Sequence, residues 1–365
     1  MALEPEIEIV AIQSVPPFKV TEPRQKVQVL VQDPVGWEVF QGSLNIILYY
    51  KQAREEESGW MMAGWIKESL STAFLEEPLL SGRLRRGEDG LSELEIVAND
   101  SGARLVEATA SITLEEFLGL ECREKVESKV VFWKEFNEQN PQFSPLFYVQ
   151  VTNFKCGGYS IGISCSLLLA DLLVKGTFLQ KWAEIQGRII SKNGGVTFPI
   201  FYLPSLKADG SSPTSAFWST PIRSCGQTMV FKIPYQQFKD EQLKAIALIS
   251  VEEAQEQLGN YFPSNTFPML VKDSNSKLIK ANICEKDATQ LVRSEMVSLR
   301  PQVTASSWDD FGIHKVAFLG GNEPVTVSYW IGSDSANGLV MAIPSREENV
   351  FDLNFIVCIP QGVGN

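Results

Sequence analysis

The sequence predicts a mixed α/β protein built from two halves, and three observations support this prediction. The chain has 365 residues, of which 44% are hydrophobic, so it can bury two cores without disulfide or metal staples. Segments with helical periodicity alternate with segments of strand-like periodicity. A stretch rich in Pro, Gly and Ser lies near the middle and has no clear period. We therefore expect an N-terminal domain at residues 1–195, a crossover linker at 196–215 and a C-terminal domain at 216–365.

The first half is predicted to contain two long helices and a β-hairpin. Residues 60–75 carry apolar side chains at every fourth position, which is typical of a helix with one buried face, and Pro78 follows its end. Residues 171–190 show a similar spacing and predict a second helix. The apolar runs 147–153 and 159–165 flank a turn with two adjacent glycines, which favours a hairpin.

The second half is predicted to consist mainly of strands. The candidate strands are 227–233, 325–331, 338–343 and 353–359. The last of them alternates strictly, with apolar residues at Leu353, Phe355, Val357 and Ile359. This alternation predicts a strand with one buried face and one face in water.

The charge and the N-terminus indicate where the protein acts. With 32 Lys and Arg against 44 Asp and Glu, the formal charge is −12, which repels a phosphate backbone and argues against nucleic-acid binding. Three glutamates among the first eight residues are the opposite of a signal peptide's basic start. The longest apolar run, Leu167–Val174, is too short for a transmembrane segment. We expect a cytoplasmic protein, and we expect it to be a monomer.

The counts of histidine and cysteine limit the chemistry. The single histidine, His314, excludes any zinc site that needs two histidines. It would also have to serve every general-base role that histidine normally fills. The six cysteines form no CxxC pair and predict dispersed thiols in a reducing compartment. The sequence therefore predicts no metal site.

Four short motifs occur in an order that is typical of one family. They are Pro78-Leu79-Leu80-Ser81-Gly82-Arg83-Leu84, the segments 99–108 and 144–158, and Asp310-Phe311-Gly312-Ile313-His314. In sequence and order they resemble the motifs of the BAHD family of plant acyl-CoA-dependent acyltransferases, and the pattern is similar to its ECERIFERUM wax-protein subgroup. The resemblance implies a chloramphenicol-acetyltransferase-like fold of two acyltransferase-like domains with mixed sheets. It also implies acyl-CoA as a co-substrate, a small-molecule acceptor and no cofactor.

The chain departs from the family at the position of the catalytic histidine. Family enzymes carry an HxxxD motif after the strand that follows the Cys-Gly-Gly turn, and its histidine deprotonates the acceptor. Here Leu167 occupies the histidine position, Asp171 is retained, and Leu172 replaces the usual glycine. Leucine accepts no proton, whereas a positioned general base typically contributes about 10²–10⁴-fold to a rate. For Asp171 the resemblance implies a structural role.

The neighbours of Leu167 are poor substitutes for a histidine. Ser164 and Ser166 are weak nucleophiles without a base. Cys165 alternates with two isoleucines, which favours a packed strand thiol over a reactive one.

The motif around His314 is similar to the family's DFGWG sequence, which the family uses structurally. Asp310, Phe311 and Gly312 match its first three residues, and His314 stands at its second glycine. The resemblance therefore places His314 away from the reacting groups.

The second domain is apparently shortened. In the family, further helix and strand residues follow the helix that resembles 236–249, whereas here Ser250 leads almost directly into Gln257-Leu258-Gly259-Asn260-Tyr261-Phe262. A genuine short form and an incorrect gene model both explain this difference. Either one predicts a missing partner for Asp171, lower stability and an exposed apolar patch.

Three functions are compatible with these residues. The first is a degenerate or accessory BAHD protein that keeps the cleft, with a role beside a lipid-elongation enzyme in very-long-chain or wax acyl elongation. The second is an active O- or N-acyltransferase of plant specialised metabolism, which relies on proximity or on a nucleophilic acceptor. The third is a pure interaction protein or a nonfunctional gene product.

Overall fold

Two mixed β-sheets with helices packed on their faces organise the protein, as the sequence predicts for its fold class. The computed structural model describes residues 5–33, 35–52, 59–87, 94–174, 177–192, 227–234, 236–273, 277–287, 289–333, 337–347 and 350–360. The predicted linker, 196–215, lies outside these residues, and the division into two sequence domains stays a prediction.

The strands of the described residues, in chain order, are β1 (Ile7–Val15), β2 (Lys26–Val31), β3 (Ser43–Tyr50), β4 (Arg83–Arg86), β5 (Leu94–Val97), β6 (Ala103–Ala110), β7 (Phe147–Asn153), β8 (Tyr159–Ser166), β9 (Thr228–Pro234), β10 (Thr266–Lys272), β11 (Leu278–Glu285), β12 (Thr304–Ser306), β13 (Thr326–Gly332), β14 (Leu339–Glu347) and β15 (Val350–Cys358). The helices are α1 (Glu38–Gln41), α2 (Gly59–Ala73), α3 (Leu114–Leu118), α4 (Arg123–Glu127), α5 (Ala170–Val174), α6 (Thr177–Lys192), α7 (Asp240–Leu258) and α8 (Gln290–Leu299). Short 3₁₀ turns cover Pro78–Ser81, Ser128–Val130, Pro141–Phe143, Leu167–Leu169, Arg300–Gln302, Trp308–Phe311 and Ile313–Lys315.

The first sheet has the strand order β1-β6-β7-β8-β3-β13. Its centre is the predicted hairpin: β7 and β8 are antiparallel, Asn153 pairs with Tyr159, and Gly157 takes a positive φ of 80° in the turn. Strands β3 and β8 are buried along their whole length, so both faces of the sheet are covered.

The second sheet has the order β12-β9-β15-β14-β10-β11-β2-β5-β4. Strands β2, β4 and β5 come from the first half of the chain, while β13 of the second half joins the first sheet. Each sheet therefore contains strands from both halves, and this exchange fixes the two sheets against each other.

The second sheet has two buried faces. Its inner face, which includes Val230, Leu270 and Met341, belongs to the larger hydrophobic core around the first sheet. Its outer face, which includes Phe231 and Phe355, forms a smaller core with α7 and α8.

The predicted wet face of the last strand is wrong. In β15 the residues between the apolar positions, Asn354, Ile356 and Cys358, are all fully buried. The reason is that Ile356 and Cys358 belong to the larger hydrophobic core, which includes residues of the first half, so the inner face of β15 packs there instead of facing water.

Helices α5 and α6 cover the predicted helix 171–190, except for residues 175–176, which lie outside the described part. Helix α7 runs without a break through Ser250 and ends at Gly259, which takes the left-handed conformation with φ of 68°. Ile249 and Val251, which flank Ser250, are buried, whereas Tyr261 in the segment that follows α7 is 70% exposed. In the described part of the chain, no helix has the length and apolar composition that a membrane span requires.

Candidate functional site

Leu167 begins the turn that follows β8, where the family places its catalytic histidine. Its backbone N–H donates to the carbonyl of Gly42 at 3.1 Å, and Ser166 Oγ accepts from the next N–H, that of Leu168, at 3.4 Å. The Leu167 side chain is only 5% exposed. A Cβ on Gly42 would lie 2.5 Å from Leu167 Cδ1, so this glycine leaves the space that the leucine fills. The position is therefore a packed apolar site without a proton acceptor.

Asp171 lies on α5, just after this turn, and its side chain is 3% exposed. Lys272 Nζ lies 3.2 Å from Asp171 Oδ1, and the Lys272 side chain is 14% exposed. Since Lys272 ends β10, this ion pair joins the turn of the first sheet to the inner face of the second. The prediction that the shortened second domain deprives Asp171 of its partner is thus wrong, because a lysine from β10 supplies the cation.

The polar groups beside Leu167 are bound to one another. Ser164 Oγ donates to Asn45 Oδ1 at 2.7 Å, and Asn45 Nδ2 donates to Ser43 Oγ at 3.0 Å. All three side chains are fully buried. A carboxamide is a very weak base, so this cluster positions the strands and cannot activate an acceptor hydroxyl.

Cys165 points to the opposite face of β8 from Ser164 and is fully buried. Burial raises the pKa of its thiol well above the usual value, and the negative charge of Asp171 raises this pKa further. The thiol therefore stays protonated, in agreement with the prediction of a packed strand thiol.

We expect Cys165 to resist alkylation while the protein is folded. Iodoacetamide at about pH 8 should label Cys122 and Cys156, which are exposed, and leave Cys165 unmodified. Peptide mass spectrometry measures the labelling at each site, and labelling after unfolding in guanidinium serves as the control. Equal labelling rates at Cys165 and Cys122 in the folded protein would contradict the buried-thiol assignment.

The carboxylate of Asp310 anchors the segment that is similar to DFGWG. Its carboxylate accepts from Ser306 Oγ at 2.6 Å and from the Ser307 N–H at 3.2 Å, and Lys232 Nζ of β9 lies 3.5 Å away. The Ser306 hydrogen bond is the largest cause that lowers the Asp310 pKa. These contacts support a structural role for this motif.

The next two motif residues shape the turn that Asp310 anchors. Phe311 is buried, and Lys232 Nζ lies 6.0 Å from its ring centroid. Gly312 ends the turn with φ of 68°, a conformation that favours glycine.

His314 lies far from Leu167. The turn that contains it, Ile313–Lys315, leads directly into Val316. Tyr50, the last residue of β3, holds this end of the turn by donating from its Oη to the Val316 carbonyl at 2.7 Å. Leu167 instead bonds to Gly42, which precedes the first residue of β3. With the usual rise of a β-strand, the two ends of β3 are about 20 Å apart. The structure therefore does not bring the only histidine to the family's catalytic position.

Comparisons with known proteins identify the family of this chain. A model of the Transferase family matches residues 38–259, more than half of the chain. The chain therefore belongs to this family, the BAHD acyltransferases.

Individual relatives match over shorter regions. Protein ECERIFERUM 26-like from Arabidopsis thaliana is 32% identical over 42% of this chain and 34% of that protein. A hydroxycinnamoyltransferase from Narcissus pseudonarcissus is 28% identical over 47% of this chain and 37% of that protein. The matched region thus spans about a third of the length of these relatives. The crystal structure of vinorine synthase is similar with a TM-score of 0.48 and 15% identity, covering 98% of this chain and 95% of that one.

Proposed function

We propose that the protein is a degenerate BAHD acyltransferase that keeps a cleft for acyl-CoA and has lost the standard transfer chemistry. The observation that carries this proposal is Leu167, an apolar, packed side chain at the position of the general base. Two further observations support it. Ser164 donates its hydroxyl hydrogen to Asn45, and Cys165 is buried and protonated, so neither replaces the missing histidine.

The proposed role is accessory, in the elongation of very long acyl chains for lipid or wax. The similarity to proteins named ECERIFERUM 26-like, ECERIFERUM 26 and ECERIFERUM 2 supports it. In this role the protein is a cytoplasmic monomer that binds acyl-CoA and a lipid-elongation enzyme. The retained Asp171–Lys272 ion pair holds the turn against the second sheet although no base is present.

A second candidate function is acyl transfer to an amine. Several similar proteins carry names of this kind, such as anthranilate N-benzoyltransferase from Dianthus caryophyllus and agmatine hydroxycinnamoyltransferase from rice, Oryza sativa subsp. japonica. A nucleophilic amine needs less help from a base, and orientation alone contributes several kcal/mol.

The decisive experiment compares wild type with Leu167→His and Leu167→Gln in an assay of free CoA release. A panel of acyl-CoAs is offered with an alcohol and with an amine acceptor. We expect at least a 10-fold higher rate for Leu167→His with the alcohol, because the histidine restores a proton acceptor. Leu167→Gln is the control, since it adds polarity without basicity. Rapid turnover of an alcohol by wild type would refute the loss of chemistry, and turnover of the amine alone would favour the second function.

A further inference from the structure

A cavity of about 440 Å³ opens on the outer side of the second sheet, between α7, α8 and the end of β11. Its volume lies within the range of roughly 300–1,000 Å³ that is typical of small-molecule sites. Leu248 of α7 and Val292 of α8 form part of its wall and belong to the smaller hydrophobic core. Leu167 belongs to the larger core on the other side of this sheet, so the cavity lies away from the site described above.

Charged side chains of both signs line the cavity without neutralising one another. The cation is Lys244, and the anions are Asp33, Glu285 and Asp287. In the part of the chain that the structure describes, Lys244 forms neither a hydrogen bond nor an ion pair. Glu285 and Asp287 are exposed to water, and Asp287 also accepts from Asn265 Nδ2 at 2.7 Å. The geometry of the cavity therefore holds the ammonium group of Lys244 apart from the carboxylates that would otherwise pair with it.

Asp33 is fixed in the cavity wall by one of its two carboxylate oxygens. It follows β2, and its Oδ2 accepts from the Ile283 N–H of β11 at 2.9 Å. Its Oδ1 has no hydrogen-bond partner among the described residues. The Cys284 thiol senses both charges: burial raises its pKa to about 12, Lys244 lowers this pKa and Asp33 raises it. Asp33 and Lys244 therefore act on the same small region of the cavity.

A ligand that carries an ammonium group and a carboxylate close together matches this arrangement. Its ammonium group donates to the free oxygen of Asp33, and its carboxylate accepts from the ammonium group of Lys244. The carboxylate also gains from the N-terminus of α8, which Thr289 caps in the wall of the cavity. An apolar side chain of the ligand packs against Leu248 and Val292. We propose that this cavity binds an apolar α-amino acid.

The test measures the binding of L-leucine and L-phenylalanine by titration calorimetry. Two analogues of phenylalanine each lack one charge: phenethylamine has no carboxylate, and 3-phenylpropanoate has no ammonium group. We expect Lys244→Met to bind both amino acids at least about 10-fold more weakly, and to bind phenethylamine no more weakly than wild type does. Asp33→Asn should weaken the binding of the amino acids and of phenethylamine, although the asparagine Oδ1 can still accept from the Ile283 N–H. Wild type should bind both analogues more weakly than L-phenylalanine.

Two control variants separate recognition of the ligand from a general effect of charge. Lys244→Arg keeps the positive charge and should retain the affinity for both amino acids. Lys280→Met breaks the pair with Asp240, one turn before Lys244 in α7, and should bind both amino acids as wild type does. Thermal unfolding without ligand should give Lys244→Met the melting temperature of wild type, because Lys244 has no partner to lose.

Three results would overturn the inference. They are no binding of either amino acid by wild type, equal affinities of wild type for phenethylamine and L-phenylalanine, and equal losses of affinity in Lys280→Met and Lys244→Met. The proposed function is tested separately, through the turnover of the Leu167 variants, because Leu167 does not line this cavity.

Discussion

Replacing Lys272 by methionine is expected to lower the free energy of unfolding by about 3 kcal/mol. The substitution removes the cation from the carboxylate of Asp171, which is 3% exposed and lies 3.2 Å from the ammonium group. A buried charge that loses its counter-ion keeps its full desolvation cost. Urea denaturation followed by circular dichroism measures the change, and a parallel loss of CoA affinity would show that the same ion pair holds the cleft.

Two controls separate this effect from a general loss of packing. The double variant Asp171→Leu, Lys272→Met removes both charges and should recover most of the lost stability. Lys280→Met on the neighbouring strand β11 breaks the exposed pair with Asp240, at 3.0 Å, and should cost less than about 1 kcal/mol. If Lys272→Met lowered the free energy of unfolding no more than Lys280→Met does, the Asp171–Lys272 ion pair would not stabilise the contact between the two sheets.

The local features of the fold are readable in the sequence. The hairpin of β7 and β8, the helix α2 and the four strands predicted for the second half depend on periodicity and turn residues that lie within a few positions of one another. The departure at Leu167 is equally local, because a single side chain either has a proton acceptor or lacks one.

The features that depend on distant parts of the chain are not readable in this way. Nothing near Lys272 indicates that it ends a strand opposite Asp171, and nothing near Asn354 indicates that its face of β15 is covered. Both facts follow from the exchange of strands between the sheets, which periodicity does not encode. The strictly alternating pattern of β15 misleads for the same reason, since its inner face packs against residues of the first half.

The strand that leads to Leu167 also depends on one glycine. Gly162 lies in the middle of β8, and the backbone of Val130 and Val131 crosses directly over it. A Cβ at this position would overlap the Val130 carbonyl oxygen, and the Val131 Cα would lie 3.0 Å away. Both valines are buried, and Gln150 Nε2 holds the same segment by donating to the Lys129 carbonyl at 2.9 Å. The segment therefore has little freedom to move away from an added methyl group.

We expect Gly162→Ala to lower the free energy of unfolding by about 3 kcal/mol, because the clash is with backbone and not with the end of a flexible side chain. Gly187→Ala is the matched control: this glycine lies within α6, and an added Cβ would meet no atom within 4 Å. That control should raise the stability by about 0.5–1 kcal/mol, since alanine favours the helix. Opposite signs for the same chemical change would show that contact with the 128–131 segment, and not the loss of a glycine as such, decides the result. Equal stabilities of the two variants would mean that this segment moves aside, and that β8 does not need it to hold Leu167 in place.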